Sequence, residues 1–575
     1  MSPVVALARA LTYHDTLTAM AEGWNAWESD EESGDHVLLY VGLDVFVIPR
    51  STTTPCVRCF LEAFRTVRLA GRHGNGFDVK STATGPANGS FIDRRVRALL
   101  EYLASVDARD RDDNVAWIID GALSRCRRAT ISPSNRCGCF GAVPEETDAP
   151  RTTPGAGVVG STSARSVELS EIAVHLDDLV DGVSGVLGGW AHADLELETT
   201  AKVSGAFHVA SAYWPFMCDW GGHSMRYRTS ATIGLLEGLE REAATRPYAA
   251  RTGTDFSVGR ASVEGHSFGQ DRSLRVPLAS AYFDAVPYAD RDALESSSGC
   301  AVGGSVAEAT LYGLLELVER DAFLTAWYGG LPLSEIAAGS SRCGATRALL
   351  NRMTLCGYTV RFFDATVSIA IPTVIAVAER ADGGPGRLCF GASAHPRAES
   401  AMWSALNEVA SDIRIIRSHA IGRRDDLAAM LEDFDRVREL QDHADLFGLS
   451  EARALAAFLL EPRDPAELID ASAVDRAMDR DPIDFPNAED CLAHCVDLVL
   501  EDVDDVVSVD ITTPVLYRAG LRAASVIVPD LLPIDFGWQR QRALTRTRLI
   551  ERAAAYRKYH HLPASELNLV PHPFP

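Results

Sequence analysis

Two short segments place carboxylates where carboxylates are hard to accommodate. Residues 234–241 read GLLEGLER and residues 313–320 read GLLELVER, identical at six of eight positions and offset by 79. In the first, Glu237 and Glu240 are three residues apart and share a helix face. In the second, Glu316 and Glu319 follow Glu308 by eight and eleven residues. At about 100° per residue, Glu319 falls ~20° and Glu316 ~80° from Glu308, so all three point to one side. Leu311, Tyr312 and Leu315 occupy that side too, which puts the glutamates on or beside a buried face. Like charges there are unfavourable unless a proton or cation neutralises them. Hard carboxylates from two facing helices suit Mg2+, a metal usually held together with phosphate oxygens. Arg241 and Arg320, directly after the glutamates, suit the remaining phosphate charge. The alternative is a pair of solvated helix faces in which the arginines only neutralise their neighbours. Either segment alone reads that way, whereas two copies entangled with apolar positions favour the metal. No Walker A string is present, so a P-loop nucleotide site is not expected.

Thiols supply a second constellation. Cys56-x-x-Cys59 and Cys137-x-Cys139, about 77 residues apart, offer four ligands for a tetrahedral structural Zn2+, with a redox pair or free thiols as the alternative. The role of Cys126, between them, stays open. Cys491 and Cys495 lie one helical turn apart in an apolar pattern and read as small core residues. Twelve cysteines in 575 residues are too few for a disulfide scaffold. A zinc hydrolase finds no His-Glu-x-x-His string.

These groups need elements to hold them. Residues 38–49 read as strand–turn–strand broken at Gly42, and FLEAFRTVRLAG reads as an amphipathic helix closed by Gly71. A further helix is expected over about 93–107, and an apolar segment near 115–125 leads to Cys126. Residues 140–165 are rich in Pro, Gly, Ser and Thr and read as a linker. From 166 onward strands and helices alternate, with 424–510 mostly helical and acidic. A length of 575 predicts two to four domains, and 47% apolar with 23% charged residues predicts globular cores. The 55 basic and 79 acidic residues leave a net charge of −24, which disfavours nucleic acid. No apolar run approaches a membrane span, Arg9 interrupts the first apolar stretch, and a cytoplasmic location is expected.

The string SSSGCAVGGSVAEATLYGLLELVERDAFLTAW (296–327), preceded by ATIGLLEGLER, resembles the YcaO family of ATP-dependent enzymes over roughly 166–575. The resemblance implies ATP and Mg2+ between glutamate-bearing helices. Glu237 and Glu240 match the first helix's ligands, and Glu308, Glu316, Glu319 and Arg320 match the second's, with Glu408 in SALNEVASD resembling a later carboxylate. Three places depart from the family pattern: Ser297-Ser298-Gly299 for Ser-Asn-Gly, Gly304 for an asparagine, and Gly221-Gly222-His223-Ser224 where a lysine is common. They touch the nucleotide contacts and leave the metal carboxylates unchanged.

Pro571-His572-Pro573-Phe574-Pro575 favours a stiff, extended tail. Alone it reads as an exposed end or a docking peptide. It resembles the Pro-x-Pro-x-Pro terminus of azoline-forming YcaO members, in which the tail reaches the active site. That implies a catalytic role for Pro575, as proton acceptor or orienting group. The cysteine surroundings are similar to the zinc-binding part of an E1-like (ThiF-like) domain, without a Gly-x-Gly-x-x-Gly or a leader-binding segment in 1–160. A separate ThiF-like, leader-binding partner protein is therefore implied, and the family's frequent dimers make a homodimer a further partner to consider.

The expected fold is α/β: YcaO-type mixed sheets with packed helices, plus a small N-terminal zinc-stabilised α/β domain. Residues 1–150 are the E1/ThiF-like remnant, 151–165 the linker and 166–575 the catalytic domain. The implied activity is ATP-dependent cyclodehydration of Cys, Ser or Thr in a ribosomally made precursor peptide, giving thiazolines or oxazolines. Thioamide or amidine formation, and a non-catalytic nucleotide-binding scaffold, are the alternatives.

Overall fold

The computed structural model of the chain describes residues 36–41, 44–49, 55–73, 114–120, 125–135, 137–140, 165–167, 169–172, 174–209, 216–247, 262–283, 297–462, 464–476 and 485–574, with isolated residues of 95–105. Pro575, most of the expected 93–107 helix and all but the last residue of the expected linker lie outside the described residues.

Runs of apolar, aromatic and β-branched residues build β1 (His36–Val41) and β2 (Asp44–Pro49), an antiparallel hairpin. α1 (Val57–His73) lays Phe60 and Phe64 on Phe46 of β2, with ring centroids 5.8 and 5.2 Å away. It runs past Gly71, the expected stop; one glycine costs a helix only about 1 kcal/mol against alanine. β3 (Val115–Asp120) and β4 (Arg125–Thr130) complete a four-stranded sheet in the order β1-β2-β3-β4.

β5 (Ala191–Ala193), β6 (Val203–Val209) and β7 (Phe216–Gly222) form a second antiparallel sheet. In β7 the residues alternate, Cys218 and Trp220 buried and Met217 and Asp219 outward. α2 (Tyr227–Thr245) folds straight back onto that strand, and only glycine fits at the contact, because a Cβ on Gly222 would sit 2.0 Å from Ser230 O. Asn135, beyond β4, donates to Glu242 of α2 at 2.7 Å and joins the N-terminal sheet to this layer.

β8 (Ser262–Ser267), β9 (Arg272–Pro277) and β10 (Cys300–Gly303) belong to a five-stranded sheet completed late in the chain. α3 (Val306–Tyr328) follows, capped by Ser305 Oγ, which accepts from Glu308 N at 3.1 Å. β11 (Ser334–Ile336), α4 (Gly344–Leu355), β12 (Tyr358–Asp364), β13 (Thr373–Arg380) and β14 (Leu388–Ala394) give a third long sheet in chain order. The unbroken apolar run at the start of β13 is buried on both faces, as such a run demands. α5 (Ala398–Gly422) covers that sheet, followed by α6 (Leu440–Leu446) and α7 (Ala488–Leu500). β15 (Val507–Asp510) and β16 (Arg522–Ile527) close the five-stranded sheet as β10-β16-β15-β8-β9, and α8 (Thr547–Tyr559) follows. The result is the expected mixed α/β architecture, with every described strand ladder antiparallel.

α3 is the central element. It packs on β10 and β16 to one side and on β13 and β14 to the other, with α7 and α8 alongside. From Asp321 to Tyr328 every residue is buried, as a run that is apolar but for Asp321 and Thr325 must be. Asp321, fully buried there, takes a bidentate ion pair from Arg548 of α8 at 2.7 and 2.9 Å, plus Leu532 N at 2.9 Å. Cys491 and Cys495 are core residues of α7, as their spacing suggested. No helix among the described residues is long and apolar enough to cross a membrane.

Candidate active site

α2 and α3 face each other through their glutamates. On α2, Glu237 Oε2 accepts from Gly221 N at 2.7 Å while Oε1 accepts from Arg241 at 2.6 and 3.1 Å. On α3, Glu316 Oε2 accepts from Gly299 N at 2.8 Å and Oε1 pairs with Arg320 at 2.5 Å. Arg320 also donates to Ser298 Oγ, and its Nε is buried with no acceptor among the described residues. Gly299 can hold this loop because its φ is +85° and a Cβ would meet Val526 O at 2.3 Å. The local arginine pairs foreseen as the plain alternative are therefore real, and they coexist with the cluster.

Not every carboxyl has such a partner. Burial, then Glu316 and Glu237, push the Glu240 carboxyl well above its usual range. Burial and the neighbouring Glu408 do the same to Glu319. Glu408, on α5, is pushed up to about 8 by burial and by Asp412 one turn on, although Ala392 N donates to it at 3.0 Å. Protonation is one way to relieve such crowding and a divalent cation is the other. Hard carboxylates flanked by arginines fit Mg2+ and phosphate better than a softer metal.

Glu308 is placed differently. It is 1% exposed, and its carboxylate accepts from Ser166 N at 2.8 Å and Gly304 N at 3.0 Å, with Arg165 at 3.7 Å. Arg165 in turn lies over the Tyr312 ring at 5.3 Å. Thus Glu237, Glu240, Glu316, Glu319, Arg320 and Glu408 come together, while Glu308 anchors the 165–167 segment two turns away on α3.

The sequence offered no hint of Lys202 and Asp412. Lys202 stands just before β6, and Ala201 N donates to Ser224 O at 2.7 Å beyond the Val203–Gly222 pair, which sets Lys202 opposite His223. Its Nζ meets Asp412 Oδ1 at 2.8 Å. Burial works against the ammonium, but Asp412 and then Glu237 outweigh it and raise its pKa. A cation thus enters the cluster from the strand beside the glycine stretch that lacks a lysine. His223 is half-buried, not merely exposed, and burial lowers its imidazole pKa.

The proline tail is buried rather than solvent-borne. Pro571, His572, Pro573 and Phe574 are all buried, and Asn568 N and Trp327 Nε1 tie it to α3 through Tyr328 O at 2.7 Å and Val570 O at 2.9 Å. Phe574 packs edge-on against Phe323, with centroids 4.9 Å apart, and Arg320 lies over its ring at 6.0 Å. Pro575, the expected catalytic terminus, lies outside the described residues.

In the N-terminal part, the Sγ atoms of Cys56, Cys59, Cys137 and Cys139 lie within 4.8 Å of one another, with Cys56–Cys137 at 3.4 Å and Cys59–Cys139 at 3.5 Å. Sulfurs bound to one tetrahedral zinc are about 3.8 Å apart, so the cluster is compatible with the metal. Hydrogen bonds from Cys137 and Cys59 hold the Cys56 thiol low, while its neighbours push Cys59 up. Cys126 is exposed on β4, outside the cluster.

Residues 230–532 match the family model described as YcaO cyclodehydratase, ATP- and Mg2+-binding. An uncharacterised protein encoded in the tfuA 3' region of Rhizobium leguminosarum bv. trifolii is 32% identical over 163 residues, which is 26% of this chain and 38% of that protein's length. Among solved structures, a heterocyclase in complex with substrate and cofactor superposes with a TM-score of 0.68 at 18% identity, covering 97% of this chain and 79% of the other. The heterocyclase TruD superposes with a TM-score of 0.57 at 15% identity, covering 97% and 77%. At these identities the two likenesses concern the fold.

Proposed function

The chain belongs to the YcaO family, and on that premise we propose that it catalyses ATP-dependent cyclodehydration of Cys, Ser or Thr residues in a ribosomally synthesised precursor peptide. The observation that supports this reading best is the gathering at Arg320 of Glu316 from its own helix, of Glu240 on α2, whose carboxyl feels its charge, and of a buried proline tail, through Phe574.

In this reading Glu237, Glu240, Glu316 and Glu319 hold Mg2+ and, with it, the phosphates of ATP. The metal, when bound, neutralises charge on the transferring phosphoryl group. Arg320 turns its unused Nε–H to a phosphate oxygen, and Gly299 N and Ser298 Oγ keep Glu316 and Arg320 oriented. Lys202 adds a third cation to the same cleft. Glu308 acts on the nucleotide side through the Arg165 segment it fixes. A substrate thiol or hydroxyl attacks the preceding amide carbonyl, and the resulting oxyanion takes the γ-phosphoryl group. Inorganic phosphate then leaves with the former amide oxygen, closing a thiazoline or oxazoline with net loss of one water. The amide oxygen is a very poor leaving group and its phosphate ester a good one. Both steps need proton transfer, and the α-carboxylate of Pro575 is the proposed acceptor or orienting group. The four cysteines are proposed to hold a structural Zn2+ in an E1/ThiF-like remnant spanning 1–150, linked through 151–165 to a catalytic domain over 166–575. The protein is proposed to work in the cytoplasm with a separate ThiF-like partner that captures the precursor's leader.

Mass spectrometry of a candidate precursor peptide tests this, after incubation with the protein, Mg-ATP and the ThiF-like partner. Loss of one water per modified residue is expected, dependent on ATP and abolished by Glu316→Gln. An unchanged mass despite demonstrated ATP binding and a formed partner complex overturns the reading.

A further inference from the structure

We infer that His443 is a positioning residue for the C-terminal tail, gripping it at His572 so that the segment beyond is presented to Arg320. The purpose of the grip rests on the cyclodehydratase reading; its geometry does not. His443 lies in α6, 129 residues before His572, and both side chains are fully buried. Their rings stack with centroids 4.1 Å apart and planes 20° apart, and Phe536 stands edge-on to both, at 6.0 and 5.8 Å.

Each contact fixes a proton. His443 Nδ1 lies 2.9 Å from the carbonyl oxygen of His572, which can only accept, so Nδ1 carries the hydrogen. Nε2 is then the lone pair that accepts from Gly537 N at 2.9 Å. His572 Nε2 lies 3.0 Å from the Asp535 carbonyl oxygen and therefore donates, which leaves Nδ1 without a donor among the described residues. The pair is thus held as two neutral tautomers. The charged groups around it are engaged elsewhere: Asp442 with Arg423, Asp535 with Arg542, and Arg320 with Glu316.

The tail's chemistry makes this grip decisive. Pro571 and Pro573 have no N–H to give. Between Val570, held by Trp327, and Phe574, the hydrogen bonds found among the described residues all fall at His572: its carbonyl with His443, its Nε2 with the Asp535 carbonyl, and its backbone N–H with the Tyr328 hydroxyl. His443, on the carbonyl, and Tyr328, on the N–H, are therefore the last side chains to hold the tail by hydrogen bonding before it reaches Arg320.

Two near-isosteres separate positioning from scaffolding. His443→Asn keeps an amide N–H near the place of Nδ1, so it still donates to the tail but no longer accepts from Gly537. His443→Gln keeps an acceptor near the place of Nε2 and loses the donor to the tail. In the full-length protein, hydrogen–deuterium exchange of the 565–575 peptide and steady-state kinetics on the precursor peptide are compared. His443→Gln is expected to exchange at His572 and Phe574 and to lose kcat by about tenfold, the scale of one hydrogen bond, with KM for ATP unchanged. His443→Asn is expected to restore both to near wild type. A glutamine variant equal to or better than the asparagine variant in both readouts overturns the inference, because the residue then serves Gly537. Faster tail exchange with unchanged kcat also overturns it. Should the wild-type protein modify no peptide, the cyclodehydratase reading fails by itself, and the ranking of the two variants in exchange still decides whether His443 grips the tail.

Discussion

Glu408→Gln turns the crowding of the carboxylates into a measurable stability. In the metal-free chain the Glu408 carboxyl is pushed up to about 8 from 4.5, by burial first and by Asp412 second. An acid whose native pKa exceeds its unfolded value keeps its proton longer in the native state, so native stability falls as pH rises from 4.5 towards 8. At about 1.4 kcal/mol per pH unit the loss is roughly 3 kcal/mol by pH 7. Glutamine does not titrate, and its carbonyl still accepts from Ala392 N, which donates to Glu408 at 3.0 Å. In EDTA the variant is expected to be the more stable protein above pH 6, by about 2–3 kcal/mol at pH 7, with the gap closing near pH 5. For a domain of roughly 400 residues that is a rise of about 3 °C in Tm. Saturating Mg2+ and ATP should reverse the order, since ligands that bind the native state stabilise it in proportion to their affinity. Scanning calorimetry from pH 5 to 8.5, with and without Mg-ATP, reads both effects. A variant no more stable than wild type in EDTA at pH 8, or a gap that does not change with pH, would refute the reasoning.

Three further outcomes follow from the same geometry. Lys202→Met should raise KM for ATP several-fold while changing stability by less than about 1 kcal/mol, because its pair with Asp412 is partly solvated; unchanged nucleotide kinetics would remove Lys202 from the site. Asp321→Asn takes one of two carboxylates from the buried Arg548, leaving Asp502 at 2.7 Å, and should cost about 2–3 kcal/mol in denaturant unfolding; a loss under 1 kcal/mol would mean that α8 is held by its apolar contacts. Cys137→Ser should lower zinc content, measured by elemental analysis, from one per chain to near zero and unfold the N-terminal sheet at lower temperature; full zinc retention would show that the four thiols are not a metal site.

The glutamate helices are legible in the sequence because one repeated string carries them and helical spacing alone aligns Glu237 with Glu240 and Glu316 with Glu319. Glu308 marks where that reasoning stops. Angle around an axis is not position along it: eight residues of helix are about 12 Å of rise, and at that remove Ser166 N and Gly304 N claim the carboxylate. Lys202 and Asp412 were invisible because their contact spans 210 residues and depends on strand register, which no local pattern encodes. The stiffness of the tail follows from its prolines, but its burial depends on a groove made by α3, α6 and the Asp535–Gly537 turn, three distant pieces of chain. For Arg241 and Arg320 the sequence sets nearby glutamates against phosphate as partners and, from the repeated segment, favours the metal-and-phosphate reading. The structure has the glutamate pairs at 2.6 and 2.5 Å, and these ion pairs are also the arrangement from which a phosphate could be met.

Trp327 meets Val570 across 243 residues of chain, and His443 meets His572 across 129. Closing such loops adds little free energy per doubling of length, about 0.6 kcal/mol, but contacts between remote segments form slowly. The order of assembly follows. The hairpins and the helix–strand turns can form from neighbouring chain, whereas the groove that receives the tail exists only after α3, α6 and the 535–537 turn have come together. A molecule trapped one step short of that would have its sheets and most of its buried apolar surface, with Phe323 and Trp327 partly uncovered and no finished cleft. Refolding followed by Trp327 fluorescence should therefore show a late phase that reports the tail seating, and competence should be acquired in that phase rather than in the earlier collapse.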